Sequence, residues 1–294
     1  MKPRIIFGLI ALVSLVLGIA LMANNGATTS GQAQAEEDQR RLEGLAATLK
    51  LDVGKLTNSG VVKNMVGIRS DYLLFSQRRD SRTYFIQDNR YGPDKGVGVF
   101  QGSDDNLLER SRSILHTLQI PADEVAKVNV LREKNQTAHA DPRTRKLILD
   151  QPGEGKIFAE FWRQVSGVPV FSSRALVGLT KQGSIGFMEV HWPIIPKATV
   201  DEARKLQELV RGRWQPPEQK GAKVESVEAG IIHSPALGFV LDIYPAIRVI
   251  YKPLDGRTGR KPTLYLDGEG RPVPIPRQFE KVEETPNQTR PYKT

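Results

Sequence analysis

Between Val128 and Trp192 the chain is written almost wholly in strand patterns, and this stretch constrains the fold more than any other. Residues 146–150, 157–165, 168–180 and 184–192 are β-branched and aromatic bursts bounded by turn residues. The last two are joined by Lys181-Gln182-Gly183, where glycine supplies the positive φ of a tight hairpin turn. Pro193 and Pro196 close the run. Strands spaced this closely, with no helix-length segment between them, predict antiparallel pairing rather than parallel βαβ units.

Helical periodicity appears on either side. Residues 37–50 place Leu42, Leu45, Ala46 and Leu49 on one face. Residues 103–119 begin with Asp104 and Asp105, acids that suit the start of a helix dipole, and bury a stripe of Leu107, Leu108, Ser111, Ile114, Leu115 and Leu118 before Pro121. A third helix opens at Thr199, with Glu202 three residues on as a capping box, and carries Ala203, Leu206, Val210 and Trp214 on its apolar face. Between the first two helices, Tyr72-Leu73-Leu74-Phe75 and Thr83-Tyr84-Phe85-Ile86 read as a hairpin around the polar residues 77–82. Strands are predicted again at residues 223–232, 239–252 and 262–266. A helix followed by antiparallel strands thus occurs twice, over residues 103–192 and 199–273, and the fold class is α+β. The expected organisation is 1–35, an export segment and flexible tether; 36–100, a helix and β-hairpin; 101–196 and 197–278, two α+β modules; and 279–294, a disordered, charged tail.

Lys2 and Arg4 precede an apolar run from Ile5 to Ala23, with acids only beyond it at Glu36, Glu37 and Asp38. That arrangement directs a chain to the export machinery with its N-terminus left in the cytoplasm. The run approaches the roughly 20 residues that span hydrocarbon, which predicts a single-pass signal anchor. The alternative is cleavage after Ala35 in Ala33-Gln34-Ala35, giving a periplasmic or secreted protein. The chain has no cysteine, which excludes disulfides, a thiol nucleophile, Cys-ligated metal and lipidation at cysteine, and points to bacterial export. The net charge of +9 is scattered, without a block of five like charges, and little aromatic interleaving accompanies Arg257, Arg260, Lys261, Arg271 and Arg277. A nucleic-acid interface is not expected.

No catalytic spacing emerges. His116, His139, His191 and His233 lack i+4 partners, and no Gly-x-Ser-x-Gly, phosphate loop or dinucleotide fingerprint is present. Neither a metal nor a cofactor is expected. The rival reading is a cell-envelope hydrolase, for which Asp242 and Asp267, with Asp255 nearby, would have to converge. A third is a ligand-binding groove formed by Phe158, Phe161, Trp162, Phe187 and Trp192, although aromatics on alternating strand positions also make a packed core.

Two segments resemble known families. Residues 161–173, with Gln164, Gly167, Val168, Pro169 and Val170, resemble the Gln-x-x-x-Gly-x-Pro-Val strand pair of fungalysin/thermolysin propeptides, one residue shorter between Gln164 and Gly167. Thr199-Val200-Asp201-Glu202-Ala203, followed at a distance by Tyr265, Asp267 and Gly270, is similar to PepSY domains. The resemblance implies two PepSY-like repeats of a helix packed on an antiparallel sheet, after the N-terminal hydrophobic helix. It also implies a non-catalytic module that binds another protein as an inhibitor, folding assistant or regulator. Such propeptides precede a His-Glu-x-x-His protease; none occurs here, so a protease or sensor partner would be a separate chain. The expected contact surface is the edge of the hairpin, at Val168, Val170, Phe171, Val177 and Trp192.

Overall fold

The computed structural model describes residues 29–62, 65–78, 81–135, 138–141, 143–145, 147–212, 214–234, 241–254 and 261–274. The chain divides into two compact units, at Met1–Ile195 and Pro196–Thr294.

The first unit opens with helix α1 (Thr29–Thr48) and four strands, β1 (Leu56–Val62), β2 (Met65–Ser70), β3 (Leu73–Arg78) and β4 (Arg82–Asp88). Helix α2 (Asp104–Thr117) follows. Then come β5 (Val125–Asn135), the small pair β6 (Ala138–Ala140) and β7 (Leu147–Leu149), and the long strands β8 (Gly153–Val165), β9 (Val168–Leu179) and β10 (Ile185–Trp192). All but β6 and β7 form one antiparallel sheet, in the order β1-β2-β3-β4-β10-β9-β8-β5. One cross-sheet row runs Ile68, Phe75, Ile86, Met188, Val177, Ala159, Val130. This is the core face, and Leu42 and Ala46 of α1 with Leu107 and Leu115 of α2 share its hydrophobic cluster.

Two expectations are corrected here. The chain does not fold as two repeats of a helix packed on an antiparallel sheet: among the described residues the first unit is one eight-stranded sheet carrying two α-helices, and residues 36–100 are part of it rather than separate from the strands after α2. Six consecutive pairs, Arg82–Gln87 against Phe187–Trp192, join β4 to β10. The physical reason is edge satisfaction. Two separate sheets would leave one side of β4 and one side of β10 unpaired, whereas joining them satisfies both and makes Tyr84, Ile86, Met188 and Val190 one apolar surface. The second correction concerns the N-terminus. The apolar run from Ile5 to Ala23 lies outside the described residues, and among the described residues no helix is long and apolar enough to cross a membrane. Nothing among the described residues supports the expected single-pass anchor. Part of the expected tether is helical, because α1 begins at Thr29.

A buried polar cluster closes one end of the core. Arg163, 3% exposed, donates Nε to Glu124 Oε2 (2.8 Å) and Nη1 to the Pro193 carbonyl (2.6 Å). The same Glu124 oxygen accepts from Trp192 Nε1 at 2.7 Å. Burial pulls the Arg163 pKa down to about 10 against the opposing pull of Glu124.

The second unit contains α3 (Lys197–Arg211) and the antiparallel strands β11 (Ala222–His233), β12 (Ile243–Pro253) and β13 (Thr263–Leu266). Leu206, Val210 and Trp214 pack against Ala229, Ile247, Val249, Tyr251 and Leu266. Thr199 is not the N-cap. The helix starts two residues earlier behind Pro196, whose fixed φ of −61° leads into the first turn, and no side chain caps it. The tail at 279–294 lies outside the described residues.

Candidate functional site: the polar sheet face and the β5 edge

Side chains alternate across a strand, so the face opposite the core is fixed by the same register. It falls into three rows. The first is apolar: Leu131 stands opposite Phe158, and Phe187 opposite Gly178. Tyr91 covers it, packing edge-on to Phe158 (6.3 Å between ring centres), with its hydroxyl donating to the Ile157 carbonyl at 2.9 Å. Gly178 and Gly186 make room, since a Cβ at either would lie 2.6 or 2.4 Å from the tyrosine.

The second row is Asn129, Glu160, Leu176, Glu189, Phe85. The third pairs Lys127 with Trp162, Trp162 with Arg174, and His191 with Thr83. Acids and bases therefore lie in adjacent rows. Glu189 Oε1 accepts from His191 Nε2 at 2.6 Å, and its other oxygen lies 3.7 Å from Arg174. Burial pushes the Glu189 carboxyl up, but the hydrogen bond from His191 and the charges of His191 and Arg174 outweigh it and hold the pKa below the ordinary value. Glu160, buried, accepts from Asn129 Nδ2 at 3.1 Å. The remaining His191 nitrogen, Nδ1, is buried and has no hydrogen-bond partner among the described residues. A carboxylate-oriented imidazole is half of a general-base arrangement, but no hydroxyl nucleophile is bonded to it. Among the described residues, no group of three or more His, Cys, Asp or Glu side chains could hold a metal ion.

The face ends at β5. This eleven-residue strand pairs with β8 on one side only among the described strands, so every second backbone N–H and C=O points outward. Lys127 and Lys134 are exposed along it.

The residues singled out from sequence fare differently. The hairpin carrying Val168, Val170, Phe171, Val177 and Trp192 is not an edge. Val177 is bonded between Ala159 and Met188, and all five side chains are at most 8% exposed. Phe158 and Phe187 lie under Tyr91, while Phe161 and Trp192 belong to the opposite, core face, so the aromatics form no single groove. Asp267 accepts from the backbone N–H groups of Glu269 and Arg271 and from Arg271 Nε, bonds that tie its carboxylate into its own turn and hold its pKa below the usual value. Asp242 is engaged through its backbone with Ser234. Asp255, Arg257, Arg260 and Arg277 lie outside the described residues. His116 is exposed on α2, His139 pairs with Asp150 at 2.9 Å on the surface, and His233 bonds the Ser234 carbonyl.

Sequence reasoning passed over Glu160 and Glu189. The signal for them was an acid within an apolar strand, Ala159-Glu160-Phe161 and Met188-Glu189-Val190, which period-2 alternation assigns to the face opposite the core.

No family model matches the chain, and no curated protein matches it. A solved structure of an uncharacterized protein from Eubacterium rectale ATCC 33656 aligns over 85% of this chain and 83% of its own, at 13% identity with a TM-score of 0.41. A likeness of that size carries no argument about fold or activity.

Proposed function

We propose that this protein is a non-catalytic, exported module that binds another protein, inhibitor-like, chaperone-like or regulatory in action, and that it accepts an extended segment of its partner along β5. One observation carries the reading: β5 is a long strand with an open hydrogen-bonding side at the end of a large sheet. An added strand gains main-chain hydrogen bonds, and side chains at alternate positions set specificity. Edge lysines discourage indiscriminate pairing, so Lys127 and Lys134 favour a strand that carries acids opposite them. Export rests on Lys2, Arg4 and the apolar run, and cleavage after Ala35 would spare Leu42 and Ala46, the α1 residues seated in the core. N-terminal sequencing of the mature protein checks that point.

Successive proline substitutions at Asn129 and Val130 test the binding surface. Backbone N–H groups alternate between β8 and the outside, so one of the two removes an outward donor and leaves the backbone hydrogen bonds to β8 in place. That variant keeps the unfolding transition of the wild type and loses crosslinks formed in cells by a photoreactive residue at Lys134. Crosslinks that persist in both variants while the fold is retained would refute strand addition at β5.

A further inference from the structure

A cleft of about 400 Å³ lies in the first unit between the end of α1, the exposed side of α2 and the turn joining β9 to β10. Its volume falls in the range of small-molecule sites. The only charged residues lining it are Lys50 and Arg110, both basic. Neither has an acidic partner among the described residues. A bound anion would supply the counter-charge that the lining of the cleft lacks.

Arg110 makes two contacts beside the cleft. Its guanidinium lies 5.7 Å from the Phe100 ring centre and passes over Gly183, where a Cβ would sit 1.9 Å from Nη1. The φ of +84° at Gly183 favours glycine in the turn, and the missing side chain leaves room for the guanidinium. Ser113, Gln182 and Ser184 contribute polar side chains to the wall, while Leu49, Ile114 and Ile185 give it an apolar part. The last carbonyls of the two helices are taken up by backbone donors. Leu49, Lys50 and Leu51 donate their N–H groups to carbonyls of the last turn of α1, and Leu118, Gln119 and Ile120 do the same for α2.

The geometry points to a binding site for a tetrahedral oxyanion, a phosphate-type group carried on a small apolar body, with Arg110 and Lys50 as its cationic partners. Guanidinium groups match such oxyanions through two parallel N–H bonds, and the hydroxyls of Ser113 and Ser184 can donate to the remaining oxygens. The apolar wall selects a phosphomonoester over bare phosphate. This site is independent of strand addition at β5.

Calorimetric titration of the full chain with phenyl phosphate and with inorganic phosphate, at constant ionic strength set by sodium chloride, tests the assignment. Phenyl phosphate should bind at least about tenfold more tightly than phosphate, and Arg110→Gln should weaken it by about tenfold or more, while Arg110→Lys retains part of the affinity. Arg110 is exposed on a helix, so these variants should fold; an unchanged unfolding midpoint verifies it. Cosedimentation with phosphatidylglycerol vesicles that depends on Arg110 would name a lipid headgroup as the source, and phenyl phosphate binding without cosedimentation would name a soluble ligand. Absence of binding beyond the chloride control, or equal affinity in Arg110→Gln, overturns the site.

Discussion

Replacing Arg163 by methionine probes the polar cluster that closes the core. The substitution keeps the unbranched stem and removes the guanidinium. Glu124 then loses its countercharge, and the Pro193 carbonyl loses its donor at 2.6 Å. Removing one partner of a buried ion pair costs roughly 3–5 kcal/mol, because the other is left uncompensated. The Glu124 side chain is 19% exposed against 2% for Arg163, so water offsets part of the loss and the lower end, about 3 kcal/mol, is expected. Replacing both partners, as Glu124→Leu with Arg163→Met, removes the orphaned charge. The double variant should be about 1–2 kcal/mol more stable than Arg163→Met alone, although Trp192 Nε1 loses its acceptor. Urea unfolding followed by tryptophan fluorescence measures both, with the midpoint moving and the slope preserved. A cost below about 1 kcal/mol for Arg163→Met would refute the reasoning. So would a double variant that loses the full sum of the two single changes.

Ionised Glu189 stabilises the fold because its native pKa lies below the unfolded value, near 4.5. The contribution is fully present above that pH and disappears as pH falls through the native pKa, so Glu189→Gln should flatten the acid limb of a stability–pH profile below about pH 4.5. Gly186→Ala puts a Cβ 2.4 Å from Tyr91 Cδ2 and should cost about 1–3 kcal/mol, read as a lowered urea midpoint with altered near-ultraviolet dichroism. Trp214→Phe removes the indole donor to the Gly268 carbonyl (3.0 Å) and should cost about 1 kcal/mol, with faster hydrogen exchange in the Asp267–Arg271 turn.

Several local features of this chain were legible in short stretches of sequence, although the capping box expected at Thr199 was not formed. Leu107, Ser111, Leu115 and Leu118 of the expected stripe are buried, with Leu108 and Ile114 half-buried beside them, and Gly183 takes the positive φ of the turn between β9 and β10. The alternation in β8, β9 and β10 marked which residues share a face, because a side-chain period of two is a property of the strand itself. Sequence alone could not tell which strands are neighbours. The pairing of β4 with β10 joins residues about a hundred positions apart and depends on two open edges meeting, so a hairpin that reads as exposed became the middle of the sheet. The same choice of neighbours buried Val177 and Trp192, brought Glu189 and Arg174 to 3.7 Å, and left β5, like β1 at the other end, paired on one side only among the described strands. Periodicity is written into neighbouring residues, whereas an edge exists only once every other strand has found its partner.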